Sequence, residues 1–238
     1  MLEIRNLSKT YKGGKKAVSN LSLTIESGDI YGFIGHNGAG KTTAIKCIVG
    51  INDFEEGTIS IDGHSVSAEP LLCKKITAYI PDNPDLYEYL TGVQYLNFIA
   101  DMFSVSKEDR TIRITKYAEM FEITEALGDS ISTYSHGMKQ KLAIISALIH
   151  KPKLMVLDEP FVGLDPKAAY VLKQIMHEFC AEGGAVFFST HVLDVAEKLC
   201  NKIAILKKGE LIASGSIEEL THGASLESVF LEFVAHAE

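Results

Sequence analysis

The sequence predicts an α/β chain: a mainly parallel sheet with helices on both faces, an antiparallel β subdomain at the N-terminus and an inserted α-helical subdomain. Three observations predict it. Residues 2–7 and 18–25 alternate apolar and polar side chains on either side of the polar turn Lys12-Gly13-Gly14-Lys15-Lys16, as half-buried antiparallel strands do. From about residue 91 to 150 the apolar period becomes helical. After Lys151-Pro152, short apolar runs at 154–157, 185–189 and 203–206 alternate with helical stretches, the pattern of parallel strands buried on both faces.

Taken in order, residues 29–34 read as a buried strand and 43–49 as a helix closed by Gly50, with a second strand pair around 57–63. Val93, Leu96, Ile99, Ala100 and Phe103 share one helical face, and Ser106 with Asp109 predicts a capping box for the next helix. An amphipathic helix is expected over 137–150. Asp165 and Pro166 begin another as cap and first residue; Ala169, Leu172, Ile175, Met176 and Phe179 form its inner face, and Gly183-Gly184 ends it. A short helix follows His191, and Lys208-Gly209 turns a hairpin into 211–214. In the closing segment, Leu226, Val229, Phe230 and Phe233 form a helical apolar stripe. The expected organisation is one domain: a core from 1–85 and 151–215 that includes the antiparallel subdomain, a helical subdomain from 86–150, and a helical tail from 216–238.

With 238 residues, 46% of them apolar, the chain has ample material for a core. Its net charge of -8 argues against a nucleic-acid partner, whose backbone demands dense Lys and Arg. Cys47, Cys73, Cys180 and Cys200 lack C-x-x-C spacing, which points away from a disulfide framework or a zinc site and towards a reducing cytosol. No apolar run approaches the ~18 residues that cross a bilayer, and Met1-Leu2-Glu3-Ile4-Arg5 lacks a signal-peptide apolar region. A membrane role is therefore expected to come through a partner.

Residues 35–42, Gly35-His36-Asn37-Gly38-Ala39-Gly40-Lys41-Thr42, match the phosphate-loop pattern G-x-x-x-x-G-K-[ST] between a strand and a helix that starts near Thr43. Glycines at 35, 38 and 40 let successive N–H groups turn inward around phosphate oxygens, at a helix N-terminus that favours an anion. Lys41 is expected to bridge the terminal phosphates and the Thr42 hydroxyl to ligate Mg²⁺. A second nucleotide motif, Leu154-Met155-Val156-Leu157-Asp158-Glu159, ends an apolar strand in two carboxylates. Asp158 suits Mg²⁺ and Glu159 suits the attacking water. A P-loop NTPase core binding a nucleoside triphosphate follows.

With these motifs, Tyr134-Ser135-His136-Gly137-Met138-Lys139-Gln140 resembles the signature motif L-S-G-G-Q of the ABC transporter family, matching it at Ser135 and Gly137. The resemblance to that family's nucleotide-binding subunit covers nearly the whole chain, and the closing segment and variant signature look most like bacterial multidrug, bacteriocin or sodium exporters. It implies that Ser135 and Gly137 contact the γ-phosphate of ATP held by an opposite subunit, and that Gly163-Leu164-Asp165 is the D-loop, with Asp165 beside the partner's site. His191, after Ser189-Thr190, matches the switch histidine, and Tyr11 stands where an aromatic residue stacks on adenine. Asp82 replaces the usual glutamine as a Mg²⁺ and nucleotide contact; it is shorter and adds charge. The implied protein is an ATPase at the cytoplasmic face of the cell membrane, a homo- or heterodimer that sandwiches ATP and drives a separate transmembrane permease, in the direction of export. Two other classes stay open at this point: a soluble ABC-type ATPase acting on ribosomes or DNA, and an ATP sensor with little hydrolysis.

Overall fold

The computed structural model describes residues 1–236, with side chains through residue 233; positions 237 and 238 of the expected tail lie outside the described residues. Its strands and helices run β1 (Leu2–Thr10), β2 (Lys16–Ile25), β3 (Ile30–Ile34), α1 (Lys41–Ile48), β4 (Glu56–Ile61), β5 (His64–Ser65), α2 (Pro70–Ile76) and β6 (Thr77–Ile80). Then come α3 (Gly92–Met102), α4 (Lys107–Met120), α5 (His136–Leu148), β7 (Leu154–Asp158), α6 (Pro166–Ala181), β8 (Ala185–Thr190), α7 (Leu193–Leu199), β9 (Lys202–Lys207), β10 (Glu210–Ser216), α8 (Ile217–Thr221) and α9 (Leu226–His236).

Two sheets form. One has the order β2-β1-β4-β5 and is antiparallel throughout; the other has the order β10-β9-β3-β8-β7-β6, parallel except for β10. The apolar runs that predict central strands are buried along their whole length in β3, β7 and β8, as strands covered on both faces must be. In β2 the burial alternates as the sequence predicts, whereas β1 breaks alternation where its register shifts after Ile4 and Asn6 takes a φ of 52°.

Apolar side chains of α3, α4, α5 and α6 pack on one face of the large sheet, while α1 and the antiparallel sheet cover the other. A third cluster joins Ile34, Ala196, Ile203 and Ile205 to Leu226 and Phe230 of α9. The helix starts follow their sequence signals. Thr91 and Gln94 make a reciprocal capping box for α3, and Asp165 accepts the Ala168 N–H at 2.8 Å ahead of Pro166. At α4 only half of the expected box is present: Ser106 accepts the Asp109 N–H, and no return bond from the Asp109 carboxylate closes it, because that carboxylate pairs with Arg113 at 2.9 Å. Val93 leaves the expected inner face of α3. It is 39% exposed.

Candidate active site

Parallel strands side by side bring their C-terminal ends to one edge, and the site is assembled there. Ile34 of β3 pairs in register with Thr190 of β8, and Asp158 of β7 with Ser189 of β8. The phosphate loop, the Asp158-Glu159 pair and His191 thus emerge from three neighbouring strands.

The loop leads directly into α1 through Gly40, whose φ of 108° disfavours any side chain and whose Cβ would strike the Ala17 carbonyl oxygen. Lys41, with a side chain only 8% exposed, donates to the Gly35 carbonyl at 2.6 Å and lies 3.6 Å from Glu159 Oε1. A cleft of about 440 Å³ opens over this loop. His36, Asn37, Gly38, Ala39, Gly40, Lys41, Thr42 and Thr43 line it with Tyr11, Asp82, Asp158 and Glu159. Gly35 lies just beneath, buried, holding Lys41 through its carbonyl. Tyr11 is fixed at the rim: its hydroxyl is 3.3 Å from Thr43 Oγ1 and accepts from Asn52 Nδ2 at 3.1 Å.

Asp158 is 1% exposed, and its Oδ1 accepts from Ser189 Oγ at 2.5 Å. The same hydroxyl accepts the Glu159 N–H at 3.0 Å. Asp158 Oδ2 is buried without a hydrogen-bond partner among the described residues, a state that costs free energy unless a cation, or water bound to one, faces it. Glu159 has a φ of 49°, a left-handed backbone that costs on the order of 1 kcal/mol for a non-glycine residue and aims its carboxylate into the cleft. Its Oε1 lies 3.0 Å from His191 Nδ1. Lys41, Glu159 and His191 are therefore in contact in sequence-distant order.

The donor set suits Mg²⁺ and phosphate together. Among the described residues no three His, Cys, Asp or Glu side chains gather to hold a metal by themselves. The cleft instead offers the Thr42 hydroxyl and the carboxylates of Asp158 and Asp82, the sparse protein ligation that Mg²⁺ shares with nucleotide phosphates and water. Asp82 also caps its own loop, accepting the Asn83 N–H at 2.9 Å. Burial, followed by the charges of Asp158 and Asp82, pushes the nearby Tyr79 hydroxyl up to about 12.

Ser135, Gly137 and Asp165 do not line this cleft. Ser135 is exposed and caps α5, accepting the Met138 N–H at 3.2 Å. His136 packs against Gly163, where a Cβ would meet its ring, and a Cβ on Gly137 would stand 2.8 Å from the Gly163 carbonyl. Asp165 pairs with Lys141 at 2.9 Å, and the Ala168 N–H together with Lys141 holds its carboxyl below the usual range. These residues form a second, outward-facing group.

The ABC transporter family profile matches residues 18–162, more than half of the chain. The chain belongs to the ABC transporter family. Within it, the ABC-type transporter ATP-binding protein EcsA of Bacillus subtilis (strain 168) is 36% identical over 237 residues, covering 98% of this chain and 96% of EcsA. A solved structure of an ATP binding subunit of an ABC transporter is similar at TM-score 0.94 and 34% identity, over 98% of this chain and 99% of that one. A dimeric, post-hydrolysis ATP-binding cassette bound to ADP and Pi is similar at TM-score 0.83 and 25% identity, over 91% and 99%. This chain is an ATP-binding subunit of the ABC transporter family and an ATPase, with that family's antiparallel subdomain, mainly parallel sheet and helical insert. No helix among the described residues is long and apolar enough to cross a membrane.

Sequence reasoning missed several residues of this ABC cassette's site. Ser189 links both carboxylate residues, and its one signal was its place two positions before His191. Lys15, Lys16 and Lys208 line the cleft, giving a chain of net charge -8 a local cationic rim. Asn52 anchors Tyr11 from a loop with no recognisable motif.

Proposed function

We propose that this subunit binds ATP with Mg²⁺ in the phosphate-loop cleft and hydrolyses it there once a second nucleotide-binding subunit covers the cleft. The observation that carries the reading is the position of Glu159, whose Oε1 lies 3.6 Å from Lys41 Nζ and 3.0 Å from His191 Nδ1. Tyr11 stacks on the adenine, the amides of residues 37–43 hold the phosphates, and Lys41 turns from the Gly35 carbonyl to the terminal phosphates. Thr42 and Asp158, with Asp82 at the rim, hold Mg²⁺, which neutralises phosphate charge when bound. Glu159 takes a proton from the attacking water, and His191 holds the carboxylate in place and contacts the γ-phosphate. Ser135 and Gly137 of the second subunit, with Asp165 beside them, supply a hydroxyl and helix-terminal amides to that γ-phosphate. The dimeric cassette with ADP and Pi supports this two-subunit arrangement.

The permease docks, in this reading, on an apolar patch at the edge of the helical insert. Tyr87, Tyr89 and Phe98 form one aromatic cluster, with ring centroids 5.9 Å apart for Tyr87–Tyr89 and 5.6 Å for Tyr87–Phe98, and Tyr89 is 81% exposed. The loop that carries Tyr87 and Tyr89 bonds to the segment before Ser135: Ser130 Oγ donates to the Glu88 carbonyl at 3.0 Å, and Glu88 pairs with Lys139 of α5. Closure of the dimer and movement of a permease at the cytoplasmic membrane face are thereby linked, with export the direction that the signature and closing segment favour.

The test is Glu159→Gln with purified protein. ATP binding at wild-type affinity, a stable ATP-bound dimer on sizing, and hydrolysis lower by on the order of 10²-fold are expected. Wild-type turnover in this variant would sink the role given to Glu159.

A further inference from the structure

The phosphate loop has a neighbour that the nucleotide reading does not use. His36, the second residue of the loop, is held in the turn by its backbone: its carbonyl accepts the Ala39 N–H at 3.0 Å and lies 3.5 Å from Lys41 Nζ. Its imidazole points away from that turn onto the ring of Phe230 in α9, edge to face, with centroids 5.1 Å apart and planes inclined at 66°. Phe230 is 5% exposed and shares a buried cluster with Leu226 and with Ile34, the residue immediately before the loop. Leu193, two positions after His191, packs against the same cluster, and the Leu226 N–H donates to Glu197 of α7 at 3.3 Å. The closing helix is thus wedged between the phosphate loop and the helix that follows His191.

We propose that Phe230 is a positioning residue for the phosphate loop: its ring sets the place of His36, and through the His36 carbonyl the turn that receives Lys41 and the phosphates. This rests on the nucleotide reading above. A loop rich in glycine resists distortion poorly by itself, and a ring braced from outside lowers the cost of holding its amides in the binding geometry. The consequence is that α9, which reaches the cleft through the His36 ring and does not line it, sets affinity within it.

The experiment measures equilibrium binding of a fluorescent ATP analogue to the full chain, alongside thermal unfolding. The variants are Phe230→Ala, Phe230→Leu, His36→Ala and the double variant Phe230→Leu/His36→Ala. Phe230→Leu keeps apolar volume in the cluster and removes the ring edge, so it should melt near the wild type yet bind about 3- to 10-fold more weakly. His36→Ala should weaken binding similarly, and the double variant should lose no more than the weaker single one, since both remove one contact. If Phe230→Leu binds like the wild type, or if the two losses multiply, the proposal is overturned. Failure of the wild type to bind the analogue would instead overturn the nucleotide reading. Should Phe230→Ala unfold, Phe230→Leu still decides.

Discussion

The phosphate-loop cleft and the signature end of α5 are built in opposite ways. In the cleft, Asp158 and Ser189 are almost wholly buried, Lys41 nearly so, and three adjacent strands fix them before any ligand arrives. At the signature end, Ser135 and His136 are exposed, and Asp165 is exposed and ion-paired to Lys141. One region encloses its polar groups within the fold, and the other leaves them on the surface. A cap that satisfies its own helix and still faces outward retains a hydroxyl lone pair and amides for an anion brought by another subunit.

The sharpest way to break this contrast is to damage each region in a different molecule. Lys41→Ala should lower nucleotide affinity by on the order of 10²-fold, as loss of a charged phosphate contact does. Ser135→Ala should leave binding to the isolated subunit unchanged and abolish most hydrolysis. Mixed in equal amounts, the two inactive variants should recover about a quarter of wild-type ATPase, because half of the random dimers carry one site with an intact cleft and an intact signature. No recovery in a steady-state ATPase assay, with mixed dimers verified, would show that the two regions do not serve one site.

A smaller effect probes the buried side. Ser189→Ala removes the hydroxyl that links Asp158 to the Glu159 backbone, leaving a second bare oxygen on a buried carboxylate. Hydrolysis should fall by about 10-fold at saturating ATP, the scale of one hydrogen bond to a charged group. An unchanged rate would mean that β8 contributes only position.

The third test concerns where the helical insert rejoins the core. His150 follows α5 and stacks on Phe103 with ring centroids 3.8 Å apart, and burial pushes its imidazole down to about 4. The folded form therefore stays neutral where the unfolded chain, near 6.5, takes up a proton. Stability from this group is fully present above about 6.5 and is lost as pH falls from there towards 4, by about 3 kcal/mol. Denaturant titrations from pH 7.5 to 4.5 should show this slope flattened in His150→Phe; an equal slope in both proteins would assign the pH dependence elsewhere.

How much the sequence revealed tracks the same contrast. The cleft was legible because its chemistry is local: a glycine pattern before Lys41, and two carboxylates after four apolar residues. The fully buried strands were legible for the same reason, since burial on both faces leaves an unbroken apolar run. Hidden from the sequence were contacts that only folding creates, such as Asn52 on Tyr11, Lys141 on Asp165 and Phe230 on His36, each joining residues with no shared periodicity. Val93 was misplaced because helical spacing identifies an apolar face without showing which neighbour covers it. The short α2 lies between motifs, and its adjacent Leu71 and Leu72 are exposed, so its apolar residues do not spell out a core-facing helical face.

His136 lies against Gly163, four residues beyond Glu159, so closely that no side chain fits between them. The start of α5 and the turn that follows Glu159 are therefore packed directly on each other. Under the roles proposed above, a change at His136 should reach Glu159 through this turn, in which the Val162 N–H donates to the Glu159 carbonyl at 3.1 Å.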